Sequence, residues 1–582
     1  MAIRLPLVGG SPPHPADVIA PITHRDLAGA RILFINMPLR ESAVPNTTPE
    51  GPLLMATRLR DEYGVQAHVL DLNGYRIKDD IAQRHGLANG RHLLPAETEQ
   101  LLARALHAYG TPHVIAFSGM ITTLRWQERV TRMARRFVPD AFLVSGNGLA
   151  TELKTGLFRY IPELDAVADS EGDDVIVKIV YDALTVHRNG WESAVASGKL
   201  APYYLGRDGS RHRLHYRGNR PRNLDTLPIA DLDIIRESVD GYPLLEKYLG
   251  AAVWGVGANN SSAAPFTMKR STTSVSSRGC PFECAFCFRG SQGERNWGIR
   301  SAEHLAAQAA LHIEQYGIDF IGYPDDNFAV NPTRIADMIP LHRELGIRWG
   351  THTRLDEAAD LRPSKDGGFV VADPRRIDLM ARAGCVYIGF GAESASRRVL
   401  TAMKKGGHIL INGMVTKRIA GRDWEFPRTM VEGITACEDA GIHSNCTWIM
   451  AYPTETLDDL RTSIAFMAWQ EKFYGGRGKG PDTVNKSIFT ATWYPGTEML
   501  DHPKVRQTLR DVFGVTFDPT TGEPVVDEAL HRYILELDDA TKLLHDPRTG
   551  APLNYSDMPM ETFLQARELA DQGKTLDILD II

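Results

Sequence analysis

Three of the six cysteines in this chain of 582 residues fall within eight positions, in SSRGCPFECAFCFRG (276–290). Cys280, Cys284 and Cys287 are spaced C-x3-C-x2-C directly after a predicted strand, TSVSS (273–277), so one tight loop brings three thiolates towards one point. A four-iron cluster takes one ligand per iron, and three cysteines therefore leave one iron open to a chelating small molecule, such as the amino acid end of S-adenosylmethionine (SAM). An open iron implies chemistry rather than electron carriage alone. Two blander readings of the same loop are a structural zinc knuckle with His304 as fourth ligand and a ferredoxin-type cluster lacking its last cysteine. Zinc sites usually pair ligands as C-x2-C with a second pair further on, and no such pair follows here. Cys385, Cys437 and Cys446 are scattered, which is no disulfide framework, and they read as reduced core thiols.

The elements that must position this loop form the second of two strand–helix alternations. After TSVSS come FIGYP (320–324), IRWGTHTR (347–354), VYIGFGAE (386–393), HSNCTWIMAY (443–452) and KSIFTATWYP (486–495), with helical segments between. Six such strands predict a partial β/α barrel. The first alternation runs through RILFIN (31–36), HVLD (68–71), HVIAFS (113–118), AFLVSG (141–146) and DAVAD (165–169), with helices expected at 51–64, 97–109 and 125–137. This pattern predicts a doubly wound parallel sheet of the α/β class. Ligands of such sheets sit beyond the carboxyl ends of the strands, here the loops 37–49, 118–123, 146–148 and 170–173. No G-x-G-x-x-G follows the first strand, which weakens a nucleotide reading.

The resulting plan is an extension (1–29), a Rossmann-like domain (30–190), a linker (191–270), a partial barrel (271–500) and an α-rich C-terminal region (501–582). The linker includes a possible hairpin at 203–218 and a Pro-rich turn at 219–228, and helices are expected near 526–544 and 559–572. With 43% apolar residues the chain can fill several cores, since one core seldom grows past roughly 250–300 residues. Net charge is −7, from 65 basic and 72 acidic residues without long runs of either sign, which favours small-molecule or peptide partners over nucleic acid. Residues 1–15 lack the apolar core of a signal peptide and no stretch reaches the roughly 18 apolar residues of a membrane span, so a cytoplasmic protein is expected.

The cysteine loop resembles the radical SAM superfamily, with Phe286 as the aromatic of C-x3-C-x-aromatic-C. The resemblance implies a partial barrel and reductive cleavage of SAM to a 5′-deoxyadenosyl radical. At the second-strand end, GYPDDNF (322–328) replaces the superfamily's Gly-Gly-Glu and offers Tyr323, Asp325 and Asp326 to the SAM ammonium. Arg354 on the third strand is a candidate for the SAM carboxylate, because a guanidinium matches a carboxylate bidentately. GFGAESAS (389–396) is similar to a Gly-x-Glu-Ser segment in which the Glu accepts hydrogen bonds from ribose hydroxyls, here Glu393 with Ser394 behind it. IMAYPTET (449–456) resembles Gly-x-Pro-Gly-Glu-Thr with Ala451 and Thr454 where glycines are commoner, and the resemblance implies that it frames adenine together with Tyr494–Thr497.

A doubly wound domain ahead of such a barrel resembles the cobalamin-binding subfamily over roughly residues 30–500. The matching segments are INMPLR (35–40), PEGPLLMATRLRDEYG (49–64), FSGMITTLRWQ (117–127), LVSGNG (143–148) and ADSEGDD (168–174), the last departing from a Gly-Glu-Gly-Glu turn at Ser170 and Asp173. Cobalamin contacts are expected from Met37, Pro38, Ser118, Gly119, Met120, Gly146, Asn147, Gly148 and Glu171, the glycines because a flat corrin approaches a backbone closely only where Cβ atoms are few. Arg40, Met120 and Arg125 are candidate neighbours of cobalt. Asp-x-His-x-x-Gly is absent, so no histidine from the loop 37–49 would reach cobalt.

The resemblance implies a class B methyltransferase. One SAM methylates cob(I)alamin, a second gives the adenosyl radical, and the substrate radical takes its methyl from methylcobalamin, with electrons from a flavodoxin- or ferredoxin-type donor. Substrates in the subfamily include unactivated carbons of antibiotic precursors, the indole of tryptophan and phosphinate phosphorus. A cyclase or ring-contracting relative with the same cofactors is the rival enzyme. A methylthiotransferase would carry three further cysteines upstream, and no cysteine precedes Cys280. An electron carrier or cobalamin sensor would need a fourth cluster cysteine or a dispensable one.

Overall fold

The computed structural model describes residues 13–38, 47–75, 93–250, 268–288, 297–538 and 543–581. These fall into two compact units, Met1–Tyr248 with Thr516–Ala540, and Leu249–Val515 with Thr541–Ile582.

The first unit is built on a seven-stranded sheet in the order β2-β1-β3-β4-β5-β7-β6. Its strands are β1 (Arg31–Asn36), β2 (Gln66–Asp71), β3 (Val114–Ser118), β4 (Phe142–Gly146), β5 (Ala166–Asp169), β6 (Tyr204–Asp208) and β7 (Arg211–Arg217). The central strands are almost wholly apolar because helices cover both faces of a doubly wound sheet, as the buried runs of β1, β3 and β4 show. Helices Glu50–Tyr63, Pro95–Tyr109 and Leu124–Phe137 follow the strands as expected. The first of them stops at Gly64, whose φ of 64° is the left-handed C-cap that glycine adopts without a Cβ penalty.

The hairpin at 203–218 forms, but not in a linker. β7 pairs in parallel with β5, from Ala166↔Leu214 to Asp169↔Arg217, and β6 folds back on β7. The first domain therefore runs past residue 190, because the hairpin supplies the partner that the exposed edge of β5 needs. The tail is likewise divided, since Thr516–Ala540, with the helix Glu528–Glu536, belongs to the first unit and the helix Met560–Asp571 to the second.

The second unit holds β8 (Ser271–Thr273), β9 (Ser277–Arg278), β10 (Gly298–Ile299), β11 (Phe320–Tyr323), β12 (Arg348–Thr353), β13 (Leu361–Pro363), β14 (Phe369–Val371), β15 (Cys385–Glu393), β16 (Met414–Ile419), β17 (Arg422–Pro427), β18 (His443–Met450) and β19 (Ile488–Thr490). Six of them form one parallel sheet in the order β19-β18-β15-β12-β11-β8, which is the expected half-barrel. The remaining strands make two-stranded ribbons, β9 with β10, β13 with β14 and β16 with β17. The strand predicted at 273–277 is split into β8 and β9, and the side-chain ties of Ser276 described below explain the break. No helix among the described residues is long and apolar enough to cross a membrane.

Candidate active site

The cysteine loop follows β9 and turns at Gly279, whose φ of 79° requires a glycine-like backbone. Backbone bonds pin it from inside and outside: Cys287 N–H donates to Cys284 O at 3.0 Å, Ala285 N–H to Met403 O at 2.9 Å, and Met499 N–H to Ala285 O at 2.8 Å. Cys284 is buried, and Cys280 and Cys287 are half-buried. Burial pushes the Cys280 thiol up to about 11, and the neighbouring Cys287 and Cys284 push the same way while Arg354 opposes them. Three thiols on one short loop are the donor chemistry of an iron–sulfur cluster, and such thiols ionise when a metal shares their charge. Among the described residues no three histidine, cysteine or acidic side chains, these cysteines included, already form a set close enough to hold a metal ion. His304, the fourth ligand of the zinc reading, instead has its Nε2 against Arg300 Nη1.

Arg354, just past β12, is 7% exposed and lies on this loop. Its Nη1 is 3.8 Å from Cys284 Sγ, its guanidinium carbon is 3.8 Å from the Phe282 ring centroid, and its Nε donates to Asp356 Oδ1 at 2.9 Å. Glu393 ends β15 with a φ of 64°, and its Oε1 accepts from Lys405 Nζ at 3.3 Å. That ammonium is 5.8 Å from the Phe286 ring centroid. A Cβ on Gly391 would come within 2.5 Å of Glu393 Oε1 and 3.1 Å of Lys405 Nζ, so the glycine makes room for the pair. Arg354 thus lies against Cys284, and the Glu393–Lys405 pair approaches the loop at Phe286.

Three other expected SAM residues face elsewhere. Tyr323 points between sheet and helix, its hydroxyl 3.2 Å from His342 Nε2, because alternation on β11 turns it to the outer face. Asp325 is buried and accepts from Ser276 N–H at 2.8 Å and Ser277 Oγ at 2.6 Å, while Arg334 Nη1 donates to Ser276 O at 3.0 Å. It ties the second-strand end to the segment leading into the cysteine loop. Ser394 is fully buried, with its Oγ 3.1 Å from Ser463 Oγ. Asp326 stays exposed, and its charge opposes the burial that lowers the His352 pKa.

The fifth-strand turn keeps the backbone of a glycine motif without its glycines. Ala451 and Thr454 sit at φ 61° and 75°, in the left-handed region. Glu455, fully buried, closes the turn by accepting from Ala451 N–H at 2.6 Å, and burial pushes its carboxyl up to about 8. Tyr452 in the same turn has its pKa raised by burial and then by the charge of Cys284.

In the first unit, Asn36, Ser118 and Gly146 are aligned by register at the carboxyl edge of β1, β3 and β4. Met37 and Pro38 are buried there, Asn147 is exposed at φ 66° with its Nδ2 donating to Ser118 Oγ at 3.1 Å, and Met120 is 37% exposed. Of the three glycines, only Gly146 faces open space: a Cβ on it would meet nothing nearer than 3.9 Å. A Cβ on Gly119 would run into Thr123 and Gln127, and one on Gly148 into Met120, so those two serve packing beneath the edge rather than approach of a ring. Gln127 is fully buried, and its Oε1 has no partner. An apolar lip at Met120, an open Gly146 and an orphaned amide oxygen below fit a flat ligand with amide arms. Ser170 again stands for a glycine at φ 63°, and Glu171 is paired with Arg220 at 2.7 Å. Arg125 donates to Leu535 O at 3.1 Å, and Arg40 lies outside the described residues.

Residues 274–467, a third of the chain, match the model of the radical SAM superfamily. The chain carries a radical SAM domain. Its sequence is 23% identical over 397 residues to an uncharacterised methyltransferase of Pyrococcus horikoshii, covering 67% of this chain and 69% of the relative. It is 22% identical over 386 residues to the anaerobic magnesium-protoporphyrin IX monomethyl ester cyclase of Rubrivivax gelatinosus, covering 65% of this chain and 56% of that one. Among solved structures it is similar to OxsB, a cobalamin-dependent SAM radical enzyme seen with aqua-cobalamin and SAM, at a TM-score of 0.58 and 15% identity. That match covers 86% of this chain but 63% of OxsB, so the chain spans under two thirds of OxsB's length. It is also similar to the radical SAM methyltransferase TsrM of Kitasatospora setae, with cobalamin and a [4Fe-4S] cluster bound, at a TM-score of 0.56 and 14% identity over 95% of this chain and 91% of TsrM. The fold is theirs.

Lys405, Phe282, Arg334 and Arg220 carry no signal in the sequence that marks them as site residues. Lys405 lies 12 residues after Glu393 and Arg220 lies 49 after Glu171, distances at which no periodicity links the partners. Phe282 was visible only as filler between two cysteines.

Proposed function

We propose that this chain is a cobalamin-dependent methyltransferase that moves a methyl group from SAM to an unactivated carbon, or a phosphinate phosphorus, of a small molecule or peptide in antibiotic-type natural-product biosynthesis. The observation that carries this reading is the placement of Arg354 against Cys284 and of the Glu393–Lys405 pair near Phe286 on the three-thiol loop. The open edge at Gly146 and Met120 in the same chain, and the methyltransferase name of the Pyrococcus relative, support the methyl-transfer part.

When bound, the cluster with SAM supplies one-electron cleavage of a sulfonium and cobalamin supplies a methyl carrier. Cys280, Cys284 and Cys287 hold the cluster, and Arg354 places a buried cation beside its sulfur ligands. Glu393 accepts from the ribose hydroxyls, held in place by Lys405. The turn at Ala451–Glu455 would frame the adenine. In the first unit Gly146, Asn147, Met120 and Ser118 form the corrin-facing edge. Electrons come from a low-potential flavodoxin- or ferredoxin-type donor in the cytoplasm.

The test is anaerobic reconstitution with iron, sulfide and hydroxocobalamin, followed by iron, sulfide and corrin analysis. The reading predicts one four-iron cluster and one corrin per chain, with the cluster lost in Cys284→Ala and the corrin kept. A chain that takes up neither would end it. The similarity to the Rubrivivax cyclase favours one second reading, a cyclase or ring-rearranging reaction with the same cofactors. Product mass separates them, because only methylation adds a carbon.

A further inference from the structure

The geometry points to Arg354 as a residue that sets the reduction potential of the cluster rather than one that clamps the SAM carboxylate. This inference rests on the proposed function and concerns the same site. A guanidinium free to grip a carboxylate presents its fork to open space, whereas that of Arg354 is engaged on three sides. Nη1 lies within hydrogen-bonding range of sulfur at Cys284 Sγ, 3.8 Å away, the flat face lies against Phe282, and Nε is held by Asp356. The side chain is 8% exposed and that of Asp356 is 11% exposed, so neither charge is well screened by water.

Reduction of the cluster adds one electron from the external donor and breaks no bond. The added negative charge spreads over the sulfur ligands, and an N–H donor with a full positive charge beside one of them favours the reduced form. Asp356 partly cancels that charge. The two residues therefore act in opposite directions on one quantity: loss of Arg354 lowers the potential, and loss of the Asp356 charge raises it.

The experiment is an EPR-monitored redox titration of the reconstituted full chain and of Arg354→Met and Asp356→Asn, with SAM affinity measured on each by the change in the cluster spectrum. At a fixed applied potential, Arg354→Met is expected to show a reduced-to-oxidised ratio at least tenfold lower, which for a one-electron couple is about 59 mV. Asp356→Asn should move the ratio the other way, with SAM affinity changed less than threefold in both. If Arg354→Met fails to hold a cluster, the direction seen in Asp356→Asn decides. An unmoved potential with tenfold weaker SAM binding overturns the inference and makes Arg354 the carboxylate clamp. A wild-type chain that binds no cluster overturns the proposed function and this inference together. A SAM-responsive wild-type cluster with potentials unmoved in both variants overturns this inference alone.

Discussion

Lys405 Nζ lies 3.3 Å from Glu393 Oε1, and the two side chains are only 7% and 11% exposed. Removing two charges from water is costly, so a buried pair stabilises only when each partner keeps the other. Here the pair fixes a carboxylate at the end of β15, on a residue whose φ of 64° already costs a non-glycine backbone strain. Strain and desolvation at one residue mark a position kept for something other than stability.

Lys405→Met leaves Glu393 buried and unpaired, and should destabilise the second unit by about 3 kcal/mol. The double variant Lys405→Met/Glu393→Gln should recover most of that loss while still binding SAM at least tenfold more weakly than wild type. Denaturant midpoints and SAM titration check both. Equal stability of the single and double variants would show that the two charges are not coupled.

Gly146→Val places a side chain in open space at the edge of the first sheet, on extended backbone with φ −132° that a β-branched residue adopts readily. Corrin retained after reconstitution should fall about tenfold, with iron content and thermal midpoint unchanged. Retention of full corrin absorbance would remove this edge from the cobalamin site.

Ala451→Gly and Thr454→Gly each relieve a left-handed residue. The strain released, roughly 1–2 kcal/mol, exceeds the 0.5–1 kcal/mol of extra chain entropy that glycine loses on folding, so each variant should gain up to about 1 kcal/mol. A lower denaturation midpoint in either would mean the turn relies on those side chains.

These two positions also show how far the sequence could be read. The fifth-strand motif was legible although Ala451 and Thr454 replace its glycines, because the turn keeps the conformation and accepts the strain; Asn147 and Ser170 repeat the lesson in the first unit. The parallel strands followed from alternation, since each is followed by a helix that returns the chain, whereas their order in each sheet did not. The hairpin at 204–217 was placed in a connection because its polar, alternating residues carry no sign of a partner 40 to 50 positions upstream. Tyr323, Asp325 and Ser394 were drawn to the site by motif position, and only the direction of each side chain sends them into the core.

Glu455 gives a pH dependence. Its carboxyl rises from 4.5 to about 8 on burial, so the folded chain binds more protons than the unfolded one between those values. Stability from this group is full below about 4.5 and declines as pH rises towards 8. Glu455→Gln should flatten that decline, and its thermal midpoint relative to wild type should be higher at pH 8 than at pH 5. A constant offset across the range would show that Glu455 is ionised when folded.

The most direct measurement of the whole account is a single anaerobic incubation of the reconstituted chain with cobalamin, SAM and a low-potential reductant, with both SAM-derived products quantified. Radical methylation predicts S-adenosylhomocysteine and 5′-deoxyadenosine together, both lost in Cys284→Ala. Formation of neither product by a chain that holds its cluster and corrin, or undiminished formation by Cys284→Ala, would contradict it.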